Sequence, residues 1–233
     1  MGYNTSEKIR PSPEELAKIK QRARIYANKE SINPGIDIPG KTFFFHGGRK
    51  NSSYEEILPV FQRRYPQNMF GPRITARELI ESLIAGPHVP TILDVGCGTE
   101  AKALKELRSI YGNSINLGGF DLPRVMSQQT SGSFNPYPGN VVDLTDLVPQ
   151  NSVDVVIAAS FVRHVHPDVP KIELLANFAQ ILKPGGFGFV DGLDPVEEFH
   201  WRGGSLPHFD EFILEEFGLV KGNETCSSFQ KLK

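Results

Sequence analysis

A chain of 233 residues with 39 % hydrophobic and 22 % charged content is long enough for one α/β domain with additions and too apolar for a disordered chain. Its two cysteines, Cys97 and Cys226, exclude both a disulfide framework and a zinc cluster. The formal net charge of −2 argues against nucleic acid as a partner, although the first 90 residues carry +5 and the remainder −7. No apolar run is long enough to span a bilayer and the first residues lack a signal-peptide core, so the expectation is a cytoplasmic protein with no membrane partner.

A helix is expected from Ser12 to about Asn28, with Ser12 as N-cap, Pro13 in the first turn and Glu14 and Glu15 at the positive end of the dipole. Residues 31–40 are rich in turn formers, and 41–45 read as a short strand or an aromatic plug. A second helix over 53–65 is interrupted near Pro59, and 75–84 form an amphipathic helix with Leu79, Ile80, Leu83 and Ile84 on one face. Residues 91–95 are a short apolar strand that runs into the tight turn Gly96-Cys97-Gly98 and then a helix over 100–107. Strands are expected next at 114–120, 139–142 and 152–159, ending at Asp121, Asp143 and Ser160. The run at 152–159 is almost wholly apolar and β-branched, which suits burial on both faces, and Asp154 reads as a turn acid at its start. A helix over 169–182 stops at Lys183-Pro-Gly-Gly186, a strand at 187–190 ends at Asp191, a helix covers 209–217, and 219–220 with 227–232 form a terminal hairpin. This alternation implies a doubly wound, mostly parallel seven-stranded sheet with helices on both faces and an N-terminal helical extension. Residues 1–75 are then a helical cover that contributes to an acceptor pocket, and residues 76–233 the ligand-binding domain.

In such a sheet ligands bind beyond the carboxyl ends of the strands. Asp121 lies 23 residues after Gly98, a spacing that suits a carboxylate holding a ribose diol in several nucleotide-binding families. Four segments narrow the choice: Leu93-Asp-Val-Gly-Cys-Gly98, Asp143-Leu-Thr-Asp-Leu147 followed by Asn151-Ser-Val-Asp154, Ala159-Ser-Phe-Val-Arg-His-Val165, and Ile181-Leu-Lys-Pro-Gly-Gly-Phe187. In their order and spacing they resemble the class I, Rossmann-like S-adenosylmethionine (SAM)-dependent methyltransferase family. The resemblance implies SAM as cofactor and assigns roles. Gly96, Cys97 and Gly98 would let the backbone approach the methionyl end, and Asp94 would support that loop. Asp121 would hold the ribose and Leu122 would flank the adenine. Asp143 would accept from the adenine amine, with the Leu144 amide facing the ring, and the Ser160 backbone would lie near the methionyl amine. Glu100 stands where the family has a third glycine.

Methyl transfer from a sulfonium needs alignment and exclusion of water, and a base only when the acceptor arrives protonated. His164, after strand four, is the first candidate for that base and His200 the second, with His46 and His208 behind them, and Asp191 is a candidate for orienting the acceptor. No metal is implied. The favoured reading is a methyltransferase that modifies oxygen or nitrogen of a small-molecule acceptor by in-line displacement. A SAM-binding sensor or regulator without turnover is the alternative, and a nucleotide-dependent oxidoreductase ranks third because Gly-X-Gly-X-X-Gly is missing.

Overall fold

The structure is a computed structural model that describes residues 11–32, 76–99, 101–127, 132–158, 161, 165, 169–190, 217–221 and 228–232. Helix α1 spans Pro13–Ile32 and opens with a capping box. The Ser12 amide donates to Glu15 Oε2 (2.9 Å) while the Glu15 amide donates to Ser12 Oγ (3.3 Å). The helix continues four residues beyond the expected end and stops just before Asn33-Pro34 in the sequence, where the residue preceding proline disfavours helical backbone. Helix α2, Ala76–Ile84, buries Leu79 and Ile80 and packs Leu83 and Ile84 at the margin of the same core. Among the described residues no helix is long and apolar enough to cross a membrane.

The strands are β1 (Thr91–Val95), β2 (Asn116–Asp121), β3 (Asn135–Pro138), β4 (Val153–Ala158), β5 (Leu182–Val190), β6 (Leu219–Lys221) and β7 (Ser228–Lys231). They lie side by side in the order β3-β2-β1-β4-β5-β7-β6. β1 to β5 are parallel, and β7 runs antiparallel between β5 and β6. Helices α3 (Lys102–Tyr111), α4 (Pro123–Met126), α5 (Leu144–Leu147) and α6 (Lys171–Ile181) link them. β2 and β3 are added on one side of β1 and β4 and β5 on the other, so the strand order reverses between β1 and β4 and the carboxyl ends of β1, β2 and β4 border one crevice.

Two apolar layers sandwich the sheet. Val95, Val156, Ala158, Leu174 and Phe178 belong to one, and Ile92, Leu104, Leu107, Val155 and Phe189 to the other. Alternation along β4 divides its residues between the two, as a strand buried on both faces requires. Gly188 of β5 is covered by its antiparallel partner Phe229, whose ring would meet an added Cβ at 2.3 Å.

Two elements differ from expectation. The third strand is not 139–142 but Asn135–Pro138, and residues 141–143 form a 3-10 turn instead. Pro136 and Pro138 donate no hydrogen bond, which an edge strand paired only with β2 tolerates. Asp143 consequently ends a turn that leads into α5, not a strand. Strand β5 begins earlier than expected, because Leu182 already pairs with Val153 and Phe187 with Val155. The Lys183–Gly186 turn bulges out between these two pairings, and Gly186 has no room for a side chain, with three backbone oxygens within 3.1 Å of an added Cβ. The expected helix at 209–217 lies almost wholly outside the described residues.

Candidate functional site

Buried strands β1 and β2 place the Gly96-Cys97-Gly98 turn against the carboxyl end of β2. The Phe120 carbonyl accepts from the Gly96 amide (2.7 Å) and from the Cys97 amide (3.3 Å), which locks the turn to the end of β2. Asp121 completes the lock: Oδ2 accepts from the Gly98 amide (2.8 Å) and Oδ1 from the Leu122 amide (2.7 Å). Each oxygen retains a lone pair for a further donor.

The two glycines serve different needs. Gly96 has φ +83° and a Cβ there would lie 2.6 Å from the Phe161 ring, so its absence of a side chain is a packing requirement. Gly98 has φ +71°, and a Cβ there would meet nothing within 4 Å. It faces open space and leaves backbone exposed to an incoming group. Cys97 lies half-buried with its Sγ 3.8 Å from Met126 Sδ, a packing contact beside the apolar layer.

Beneath the turn, Asp94 is 7 % exposed. Burial, and after it the neighbouring Asp121 carboxylate, push its pKa up to about 7. Burial also raises the pKa of Asp121, against the opposing pull of the Gly98 and Leu122 amides and of Arg124. The two carboxyl groups thus act on one another from largely buried positions, where a bound cation beside them would be stabilised.

On the far side of β2, Asp143 ion-pairs with Arg24 of α1, whose Nε lies 3.0 Å from Oδ1 and 3.2 Å from Oδ2 and whose Nη2 also contacts Oδ1. Leu144 has its side chain fully buried, and its amide donates to the Val141 carbonyl within the 3-10 turn. The amide expected to face a ring is therefore engaged by the backbone. Asp154 is no turn acid: it sits buried in β4 at the opposite, amino edge of the sheet. There it accepts from the Thr91 amide (2.7 Å) and Lys183 Nζ (2.6 Å) and lies 3.0 Å from His88 Nε2. Ser160, His164 and His200 lie outside the described residues, as do Glu100, Asp191, His46 and His208. Among the described residues no group of three His, Cys, Asp or Glu is placed to hold a metal ion. Arg24 and Asn140 are the participants that sequence reasoning missed. Arg24 meets Asp143 across 119 residues, and no local pattern announces that contact.

Residues 93–190 match the family model described as a methyltransferase domain. No curated protein matches the chain. Similar solved structures include a SAM-dependent methyltransferase from Archaeoglobus fulgidus, 20 % identical over 77 % of this chain and 75 % of its own, with a TM-score of 0.45. A TehB-like SAM-dependent methyltransferase from Corynebacterium glutamicum is 16 % identical over 77 % of this chain and 98 % of its own, with a TM-score of 0.43. A SAM-bound amino pentose methyltransferase from Micromonospora echinaspora is 17 % identical over 66 % of this chain and 56 % of its own, with a TM-score of 0.41. The residues present suit that cofactor: the space over Gly98 is open, Asp121 has acceptor capacity left, and the buried carboxyl pair favours a positively charged ligand. Residues 93–190 of this chain thus carry the pattern of a methyltransferase domain, and the geometry of the Gly96–Gly98 turn and Asp121 is compatible with it.

Proposed function

We propose that this chain transfers a methyl group from SAM to an oxygen or nitrogen of a small-molecule acceptor. The observation that carries the reading is the Asp121 carboxylate, which accepts from the amides of Leu122 and of Gly98, the residue over which space is open. A net charge of −2 favours a small acceptor over a polyanion. Bound SAM supplies a methyl carbon on a sulfonium, and the acceptor's lone pair displaces the thioether in line. In this reading Gly96, Cys97 and Gly98 shape the cradle for the methionyl end, near the Ser160 backbone. Ionised Asp94 steadies the positive charge there. Asp121 holds the ribose hydroxyls, Leu122 flanks the base, and Asp143 accepts from the adenine amine. His164, or His200 after it, takes the proton from a phenol or ammonium acceptor. Residues 1–75 act as a cover that closes the acceptor pocket over a domain formed by residues 76–233.

The test uses SAM carrying a tritiated methyl group, the purified chain, and separate fractions of small metabolites, RNA and protein. Label in the small-metabolite fraction supports the reading. Label confined to RNA or protein overturns the acceptor class, and no label in any fraction, with SAM still bound, leaves a binding protein without turnover.

A further inference from the structure

The link between α1 and the loop at 140–143 is more elaborate than a surface contact needs to be. Ala23 is 2 % exposed and packs in the same apolar layer as Val141 and Val142. Asn140 joins the two segments: its Oδ1 accepts from the Val142 amide (3.2 Å), which shapes the 3-10 turn, and its Nδ2 donates to the Ala23 carbonyl (3.2 Å). From α6, Asn177 Nδ2 donates to the Val141 carbonyl (3.2 Å) and fixes the turn from behind. One residue after Ala23, Arg24 reaches over the turn to the Asp143 carboxylate. The Arg24 side chain is half exposed, and ion pairs of that kind contribute little to stability.

What such a pair does contribute is geometry. A guanidinium meets a carboxylate as a planar fork and fixes the orientation of its plane, which a lysine ammonium cannot do. Oδ1 receives both Nε and Nη2, whereas Oδ2 receives only the longer 3.2 Å contact from Nε. Oδ2 therefore keeps a lone pair in a fixed direction. That arrangement suits a ligand amino group and rejects a carbonyl, which has no proton to donate and would face a negatively charged oxygen.

We infer that Arg24 is a positioning residue for base recognition: it holds the Asp143 carboxylate so that Oδ2 selects a 6-amino purine over a 6-oxo purine. Helix α1 is then a wall of the cofactor site as well as a cover for the acceptor. The inference rests on the assignment of Asp143 to the adenine. Arg24 reaches the base only through Asp143, so its substitution should alter discrimination between bases more than overall binding.

The experiment is calorimetric titration of the full chain with S-adenosylhomocysteine and with its 6-oxo counterpart, S-inosylhomocysteine. The wild-type protein should prefer the adenosyl ligand by at least ~10-fold, the value of one well-placed hydrogen bond to a charged acceptor. Arg24→Met, with an unchanged melting temperature, should reduce that preference by ~3- to 10-fold, and Arg24→Lys should restore part of it. A preference unchanged in Arg24→Met, or tighter adenosyl binding by that variant, overturns the inference. Hydrogen exchange on the wild-type chain decides the matter if Arg24→Met does not fold. Slower exchange over residues 13–27 with the adenosyl ligand than with the inosyl ligand supports the inference, and equal exchange refutes it. A wild-type chain that binds neither ligand defeats the cofactor reading itself. That outcome is distinct from an Arg24→Met variant that binds and discriminates as well as the wild-type chain.

Discussion

Asp94→Asn separates the cost of a buried charge from its use. The ordinary carboxyl pKa of 3.8 rises to about 7 at this site, chiefly by burial and secondarily by Asp121. A shift of about three units corresponds to ~4 kcal/mol between the protonation states. The sign follows from linkage: with the folded pKa raised, the contribution of Asp94 is whole below about 3.8 and is lost as pH rises through about 7. Above pH 7 the wild-type protein carries the full cost of a buried carboxylate, whereas asparagine carries none of it. Burial of the new amide takes back ~1–3 kcal/mol if it finds no partner. The expected net gain at pH 8 is therefore ~1–3 kcal/mol, or a melting temperature higher by roughly 2–10 °C for a chain of this size. At pH 4 the gain should vanish or reverse. Thermal unfolding of both proteins at pH 4, 6 and 8 measures it directly. An asparagine variant less stable than wild type at pH 8 would refute the reasoning, since it would mean that the carboxylate is stabilised where it lies. The same variant should lose affinity for cationic SAM more than for neutral S-adenosylhomocysteine.

Asp121→Ala removes the brace of Gly98 and Leu122 and should weaken SAM binding by ~1–3 kcal/mol, read by calorimetry. Gly96→Ala should lower the melting temperature most, because φ is +83° and its Cβ would sit 2.6 Å from Phe161, whereas Gly98→Ala, strained at φ +71° but with open space before it, should lower it less and lose affinity for SAM. Lys183→Met takes one partner from the buried Asp154, whose pKa burial raises but the hydrogen bonds from Lys183, the Thr91 amide and His88 lower by more. With the Thr91 amide and His88 retained, the loss should be ~1–3 kcal/mol at pH 7 by chemical denaturation. A carboxylate with a lowered folded pKa stabilises above its unfolded value, so that loss should shrink as pH falls through 4 and below. Equal destabilisation by Lys183→Met at pH 3 and pH 7 would show that the lysine acts by packing alone.

The parts of the fold that sequence makes legible are those written in local pattern. β1, β4 and the terminal hairpin announce themselves through apolar runs bounded by turn formers, and Ser12 with Glu15 marks a helix start that the structure repeats as a capping box. Gly96, Gly98 and Asp121 are legible for the same reason: a glycine turn after a buried strand and an acid at the end of the next strand are adjacent by construction. β3 was hidden because Pro136 and Pro138 weigh against a strand wherever the edge position is unknown. The bulge in β5 was hidden because Lys183-Pro-Gly-Gly186 reads as a stop between two elements, although the ladder resumes on both sides of it. Asp154 and Arg24 stayed out of sight because their partners are distant in the chain: Lys183 is 29 residues from Asp154, and Asp143 is 119 from Arg24. Contacts of that span arise from topology, which no window of sequence contains.

Calorimetric titration of the purified chain with SAM, at pH 6 and pH 8, addresses the cofactor site most directly. The expected result is saturable one-to-one binding, tighter at pH 8, where Asp94 is ionised and, in the proposed site, would attract the ligand's positive charge. A chain that takes up no SAM at millimolar concentration, while folded at both pH values, would contradict the account.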